Sequence, residues 1–288
     1  MKKTGDARVI FFLAAFGVLF LFPLIATVAG SFMTESAIEV NYSSRPDTFD
    51  LVAGIREKFR RILLIPNPVS PEQYAEVLIN QPSFLILLFN SLKIALPVSL
   101  GALGIALLTA YGFLRWQWKY KEAVFTVYVV VMLMPLQAVL VPNYIIAALL
   151  GIRKSPLAII LPGIFSPFGV FLMRQSMKAI PPAYFEAAEI DGAGDWYILF
   201  RVVIPQLKSS AAALCMLVFI EYWNVVEQAL IFIDDFTLEP LSVYLSRLAD
   251  GRIGLIFAAS CIYMFLPLWF LFSGQEDLEK GIELSGVK

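Results

Sequence analysis

Ile180-Pro181-Pro182-Ala183-Tyr184-Phe185-Glu186-Ala187-Ala188-Glu189-Ile190-Asp191-Gly192-Ala193-Gly194-Asp195 is an acidic, alanine-rich stretch set between two long apolar runs. It is built to make a short helix with a hard stop. Proline is favoured at a first helical position, where its missing N–H would be unpaired anyway, and Gly192 can take the left-handed conformation that ends a helix. Ala183, Ala187 and Ile190 fall on one face at i, i+4, i+7, and Glu186 and Glu189 fall elsewhere. Asp195 is placed to cap a second helix from Trp196, expected to stop near Ile204 because a residue before proline avoids helical angles. The stretch thus reads as two helices lying on a membrane surface, offering an acidic, alanine-rich ridge to another molecule.

Working outward, six apolar runs are long enough to cross a hydrocarbon core, which takes about twenty residues of helix. They are Val9–Phe32, Leu85–Leu114, Ala123–Leu150, Leu157–Met177, Ala211–Ile233 and Ile253–Phe272. The fold class is therefore all-α membrane protein with six transmembrane helices. Pro135, Pro142 and Pro162 lie inside these runs and predict kinks, which bundled membrane helices tolerate. The expected organisation is an N-terminus 1–8, a first span 9–32, an outward loop 33–84, a five-helix core 85–272 that includes the surface loop 178–208, and a tail 273–288. The first run is too long for a cleaved signal peptide. Lys93, beside Asn90 and Ser91, reads as a boundary anchor whose stem snorkels to the interface. In the outward loop, Ile55–Leu63 reads as an amphipathic interfacial helix, and Asn41-Tyr42-Ser43 matches a short glycosylation pattern.

Composition narrows the function. With 59% hydrophobic and 16% charged residues, the 288-residue chain cannot hide its apolar surface in water. A net charge of −1 offers no field to nucleic acid, so lipid and other protein are the expected partners. The absence of histidine removes most zinc sites and His-based acid–base or nucleophile pairs. Cys215 and Cys261 stand apart in apolar runs and read as buried, inert thiols. No metal site, no bound cofactor and no catalytic residue is expected, so the chain is read as a non-enzyme.

Orientation follows from basic residues in short loops. Lys2, Lys3, Arg8, Arg115, Lys119, Lys121, Arg174, Lys178, Arg201, Lys208, Lys280 and Lys288 fall on one side, against Arg153, Lys154, Arg247 and Arg252 on the other. Both termini and the 178–208 loop are thus expected in the cytoplasm.

Glu186-Ala187-Ala188, then Asp191-Gly192-Ala193, then Ile204-Pro205 resemble the EAA loop of binding-protein-dependent ABC importer permeases. Further matches are Asn90-Ser91-Leu92, Ala110-Tyr111-Gly112-Phe113-Leu114-Arg115, Met134-Pro135, Tyr222-Trp223-Asn224 and the tail Gly286-Val287-Lys288. Together they are similar to the MalG-like subunits of carbohydrate importers. The double proline Pro181-Pro182 and Gly194 depart modestly from the pattern. The resemblance implies the type I importer permease fold, located in a bacterial inner membrane. It implies that Glu186, Ala187, Ala188, Asp191, Gly192 and Ala193 form the coupling helix seated in a cytoplasmic ATPase. It implies four kinds of partner: a second homologous permease, an ATPase homodimer holding ATP and Mg, an extracytoplasmic solute-binding protein, and the bilayer. The chain has no G-x-x-x-x-G-K-[ST] phosphate loop of its own. By the same resemblance, Asp234–Asp250 is expected to reach toward the binding protein.

Glu221, Asn224 and Gln228 are spaced i, i+3, i+7 in the fifth run and are expected to share a face that lines a cavity or an inter-subunit seam. The rival reading is an ion-coupled carrier or channel using Glu221 and Glu227. That reading leaves the EAA stretch without a role.

Overall fold

The computed structural model describes residues 3–42, 65–247 and 253–285. The predicted interfacial helix Ile55–Leu63, Ser43 of the glycosylation pattern, the tail Gly286-Val287-Lys288 and the end of the 234–250 loop lie outside the described residues. Every regular element among the described residues is helical, and one isolated antiparallel bridge joins Met33 to Val69. Among the described residues four helices are long and apolar enough to cross a membrane, or up to six spans if each of two sharply bent helix pairs counts as one.

The chain divides into two compact units. In the first, Met1–Leu85 with Leu245–Phe265, the leading helix runs Lys3–Ser31, and the side chains from Val9 through Leu21 are exposed but for half-buried Gly17. An apolar helix with so little of its own chain around it is solvated by lipid or by another membrane protein. After Ser31 the chain turns into the Glu35–Tyr42 helix. The returning segment is fastened by Ser70 N–H to Phe32 O at 2.8 Å and by the Ser31 and Tyr74 hydroxyls at 2.8 Å. Gly30 and Gly254 allow close packing here. A Cβ on Gly30 would lie 2.4 Å from the Phe257 ring, and one on Gly254 would lie 2.7 Å from buried Gln73.

The second unit is Ile86–Tyr244 with Leu266–Lys288. Its long helix is Pro82–Arg115, with Ile94, Val98, Ala102, Ala106 and Ala110 fully buried at successive i+4 positions. The alanines let neighbours approach closely, so that a Cβ on Gly169 would sit 3.2 Å from that of Ala106. The third apolar run is not one kinked helix. It breaks into Lys121–Met132 and Leu136–Leu149, which meet at 102°. A residue before proline disfavours helical angles, which applies to Met134, and Pro135, at ψ 146°, precedes the fresh start of the next helix. The fourth run is interrupted between Leu157–Gly163 and Pro167–Lys178, where the Ser166 hydroxyl caps the Gly169 N–H at 3.1 Å.

The fifth run also differs from expectation. Its helix starts at Lys208 and stops at Trp223, and a separate short helix covers Glu227–Phe232. No proline causes this. The Asn224 side chain folds back to donate to Ile220 O at 2.9 Å beside its own N–H at 3.2 Å, closing the helix end locally, and Ser242 donates to the Val225 carbonyl at 2.5 Å. The last helix, Ile253–Ser285, continues well past Phe272 after a kink at Gly274. Beyond the kink it lies on the base of the Lys208–Trp223 helix, where Ser209 donates to Asp277 at 2.7 Å and a Cβ on Gly281 would sit 2.8 Å from Ser209 O.

Candidate functional site: a surface ridge and a polar cavity

The acidic stretch forms the helix Pro182–Ile190, with Pro182 at its first position and no buried residue. Its end is stapled twice. Ala193 N–H bonds to Ala188 O at 2.9 Å and Gly192 N–H to Glu189 O at 3.0 Å, a Schellman arrangement that requires the φ of +76° seen at Gly192. Ala183, Tyr184, Ala187, Ala188, Asp191 and Ala193 line an open concavity of about 610 Å³. Ile190 stays outside it and is 86% exposed. On the other flank, Phe185, Glu186 and Glu189 border a second hollow with Tyr111 and Arg115. The helix therefore stands as a ridge between two hollows. Small side chains on its first flank admit close approach of a partner backbone, and Glu186 presents a carboxylate on its second.

One expectation about the following helix is corrected. Asp195 does not cap it; the helical segment Asp195–Gln206 opens behind Gly194 without a side-chain cap. The Asp195 carboxylate is taken instead by Arg115, Nε to Oδ1 at 2.7 Å, and the Tyr111 hydroxyl donates to Asp195 O at 3.2 Å. The segment runs two residues past Ile204, to Gln206. A π-helical turn over Ile198–Val203 widens the coil ahead of Pro205, which makes room for a ring that would otherwise press on the preceding turn, and the chain bends by 78° only after Gln206.

Arg115 also pairs with Glu189, so one guanidinium holds both helices of the surface loop. In the sequence Arg115 stands out only as an orientation charge and a motif position. The signal available was its fork of donors opposite two carboxylates flanking a helix stop. Arg174, counted with the solvated loop charges, is 2% exposed; it stacks on the Phe125 ring at 3.8 Å and reaches Glu122 at 2.5 Å.

At the other end of the unit, the Asn90-Ser91 pair binds the segment that follows Ile233. Buried Asn90 donates to Thr237 O at 2.7 Å and Glu239 O at 3.1 Å, and Ser91 accepts from Leu241 N–H at 2.9 Å. Asp235 accepts from Thr237 N–H at 2.9 Å, and that backbone bond holds its carboxyl below the usual range. Lys154, at φ +71°, donates its N–H to Phe232 O at 3.0 Å and its Nζ to Asp234 at 2.8 Å, and this bond likewise lowers the Asp234 carboxyl.

The cavity candidates separate. Glu221 is exposed and, with Tyr222, Asn143 and Ser166, lines a hollow of about 520 Å³ bordered by both helix breaks of the third and fourth runs. Asn224 turns back on Ile220, and Gln228 lies on the next helix, so the three do not share one helical face. Glu227, the rival reading's second ion carrier, accepts from Gln137 at 3.1 Å and ties the Glu227–Phe232 helix to the start of Leu136–Leu149. Cys215 and Cys261 are half-buried, not fully buried as expected. Among the described residues no group of three Cys, Asp or Glu side chains is arranged to hold a metal.

The fold is that of the membrane-spanning part of an ABC transporter. A bacterial ABC transporter involved in the import of the acidic polysaccharide alginate superposes with a TM-score of 0.77 at 20% identity, covering 96% of each chain. The chain belongs to the family of binding-protein-dependent transport system inner membrane components, whose model matches residues 102–275. It is similar to the lactose transport system permease protein LacG of Rhizobium radiobacter, at 30% identity over 206 residues, 70% of this chain and 75% of that one. It is also similar to the arabinooligosaccharides transport system permease protein AraQ of Bacillus subtilis, at 24% identity over 96% and 94% of the two chains.

Proposed function

We propose that this chain is one permease subunit of an ATP-driven carbohydrate importer, forming half of the translocation pathway and coupled to a separate ATPase through the Pro182–Ile190 helix. The observation that carries this reading is a rigidly terminated surface ridge in which Glu186, Ala187, Asp191 and Gly192 are exposed while Ala188 and Ala193 rest partly on the core. A surface helix that buries none of its own residues and is nonetheless stapled at its end and clamped by Arg115 is built to be pushed by a partner. The carbohydrate assignment follows the relatives, whose names specify lactose and arabinooligosaccharides.

In this reading each bent pair counts as one span and both termini lie in the cytoplasm. A second homologous permease completes the pathway, two ATPase subunits hold ATP and Mg, and a solute-binding protein delivers the sugar from outside. The segment 234–247, fixed by Asn90 and Ser91, faces that binding protein. ATPase closure displaces the coupling helix, and its clamp to the Pro82–Arg115 helix passes the movement into the membrane.

The test is co-purification from native membranes of wild type and Glu186→Arg. An ATPase that accompanies the wild type and is lost or uncoupled in the variant supports the assignment. Transport by the variant, with no ATPase accompanying either protein, would return the ion-coupled carrier with Glu221 and Glu227 to first place.

A further inference from the structure

The hollow bordered by the helix breaks is placed and lined as a contact surface for cargo. Its walls include the chain on both sides of the 102° break, at Met134 and Leu136, and the residues of the second interruption, Phe165 and Ser166. Discontinuous helices leave backbone groups and side-chain dipoles facing one another within the membrane, which is where transporters place their substrate sites. A glutamate exposed at the end of an apolar spanning helix is costly against lipid, so it belongs to water or to a polar ligand.

We infer that Glu221, Tyr222 and Asn143, beside the aromatic rings of Phe165 and Phe168, form a subsite for an uncharged carbohydrate on the translocation pathway. The inference rests on the importer reading above and specifies its substrate class. The lining supplies a carboxyl, a phenol and an amide, which together donate to and accept from sugar hydroxyls, beside aromatic rings suited to the C–H faces of a pyranose or furanose ring. No lysine or arginine lines the hollow. An acidic saccharide or phosphorylated polyol here would meet a carboxyl group with no cation from this wall, a like-charge juxtaposition that selects against it. Gly163 sets the wall's shape: a Cβ there would lie 2.8 Å from the Tyr222 hydroxyl, so glycine allows the phenol to lie flat beside the break.

The experiment uses the assembled importer in membrane vesicles, with Cys215→Ala and Cys261→Ala as background and, as reporters, Leu136→Cys or Val139→Cys, which line the hollow without being among its ligand groups. Each reporter is reacted with a small water-soluble methanethiosulfonate. The reaction is repeated during ATP-driven turnover with the solute-binding protein and either lactose or arabinotriose as uncharged probes, or sn-glycerol 3-phosphate or an oligouronate as anionic ones. Both reporters are expected to react, and a transported uncharged probe at about twice its half-saturating concentration is expected to slow them about threefold, with Lys119→Cys on the cytoplasmic turn unaffected. Reporters that never react, or that react at the same rate with every probe while the wild type still imports an uncharged sugar, overturn the subsite and leave the importer reading standing. Protection by an anionic probe overturns the substrate class. Wild-type vesicles that show no ATP-dependent uptake of any probe and bind no ATPase overturn the importer reading itself, and the subsite with it.

Discussion

Arg115 Nε lies 2.7 Å from Asp195 Oδ1 while the same guanidinium pairs with Glu189, so the end of one spanning helix grips both ends of the Ile190–Gly194 turn. The three side chains are about a third to a half exposed, and solvent limits such pairs to about 1 kcal/mol of stability. The mechanical consequence is larger than the energetic one. Arg115→Gln is expected to leave the ATPase bound but to lower the amount transported per ATP hydrolysed, and a cycle with Asp195→Asn should show that the second change adds little once the first is made. Fully additive losses, or unchanged coupling in Arg115→Gln, would show that force enters the membrane by another route.

Gly192→Ala isolates the helix stop. Nothing lies within 4 Å of a Cβ at this position, so the cost is purely that of the positive φ, about 1 kcal/mol. Gly194 is an internal control, with equal space around it and φ of −76°. Gly192→Ala is expected to lower thermal stability in detergent and weaken ATPase co-purification, with Gly194→Ala close to wild type in both. Equal behaviour of the two would mean that the left-handed turn is not what positions the ridge.

The surface loop was largely readable because its signals are local. Pro182 at the first turn and Gly192 after the last act through the backbone angles of single residues, and the helix lies where they place it. Run boundaries were less readable because apolar periodicity does not distinguish a continuous spanning helix from two pieces. Pro135 announced a disturbance but not a 102° turn, and the stop at Trp223 coincides with the Asn224 amide joining its own N–H on Ile220 O and with Ser242, seventeen residues from Val225, taking up the Val225 carbonyl. Asp195 carried a correct cap signature that a distant arginine overrode. Long-range polar pairings of this kind have no counterpart in local pattern.

Asn90 tests the outer anchorage. Its amide donates to two carbonyls in a buried setting, and its loss removes both bonds, at a cost of about 1–3 kcal/mol. Asn90→Ala is expected to lower the unfolding midpoint and speed proteolysis near Thr237. Asn90→Asp should be worse still, since a carboxylate would face two carbonyl oxygens. Protease resistance equal to wild type in both variants would remove Asn90 from this role.

Acid should loosen the neighbouring turn. Lys154 holds the Asp234 carboxyl below its ordinary value, so the bridge contributes fully above the carboxylate range of about 4 and is lost as pH falls through the lowered value. Hydrogen exchange at the Lys154 and Asp234 amides is expected to accelerate beyond its intrinsic pH trend on acidification below about pH 4, and Asp234→Asn should show the acid behaviour at neutral pH. A profile that is identical in wild type and Asp234→Asn would assign the turn's order to the Lys154–Phe232 backbone bond alone.

Gly163 and Tyr222 meet at the wall of the polar hollow, where an added Cβ would stand 2.8 Å from both the ring and the hydroxyl of Tyr222. The obstructing atoms are the far end of a side chain, not backbone, so Gly163→Ala is expected to push the phenol into the hollow without preventing folding. The strain should cost about 1–3 kcal/mol. Combining it with Tyr222→Leu removes the colliding hydroxyl and ring edge, so the double variant should recover most of the lost stability while still transporting poorly, because the phenol is gone. Thermal unfolding and sugar uptake measured side by side separate the two effects. If the double variant is no more stable than Gly163→Ala alone, the strain lies in the Leu157–Gly163 helix itself, and the close approach to Tyr222 is not what fixes the wall.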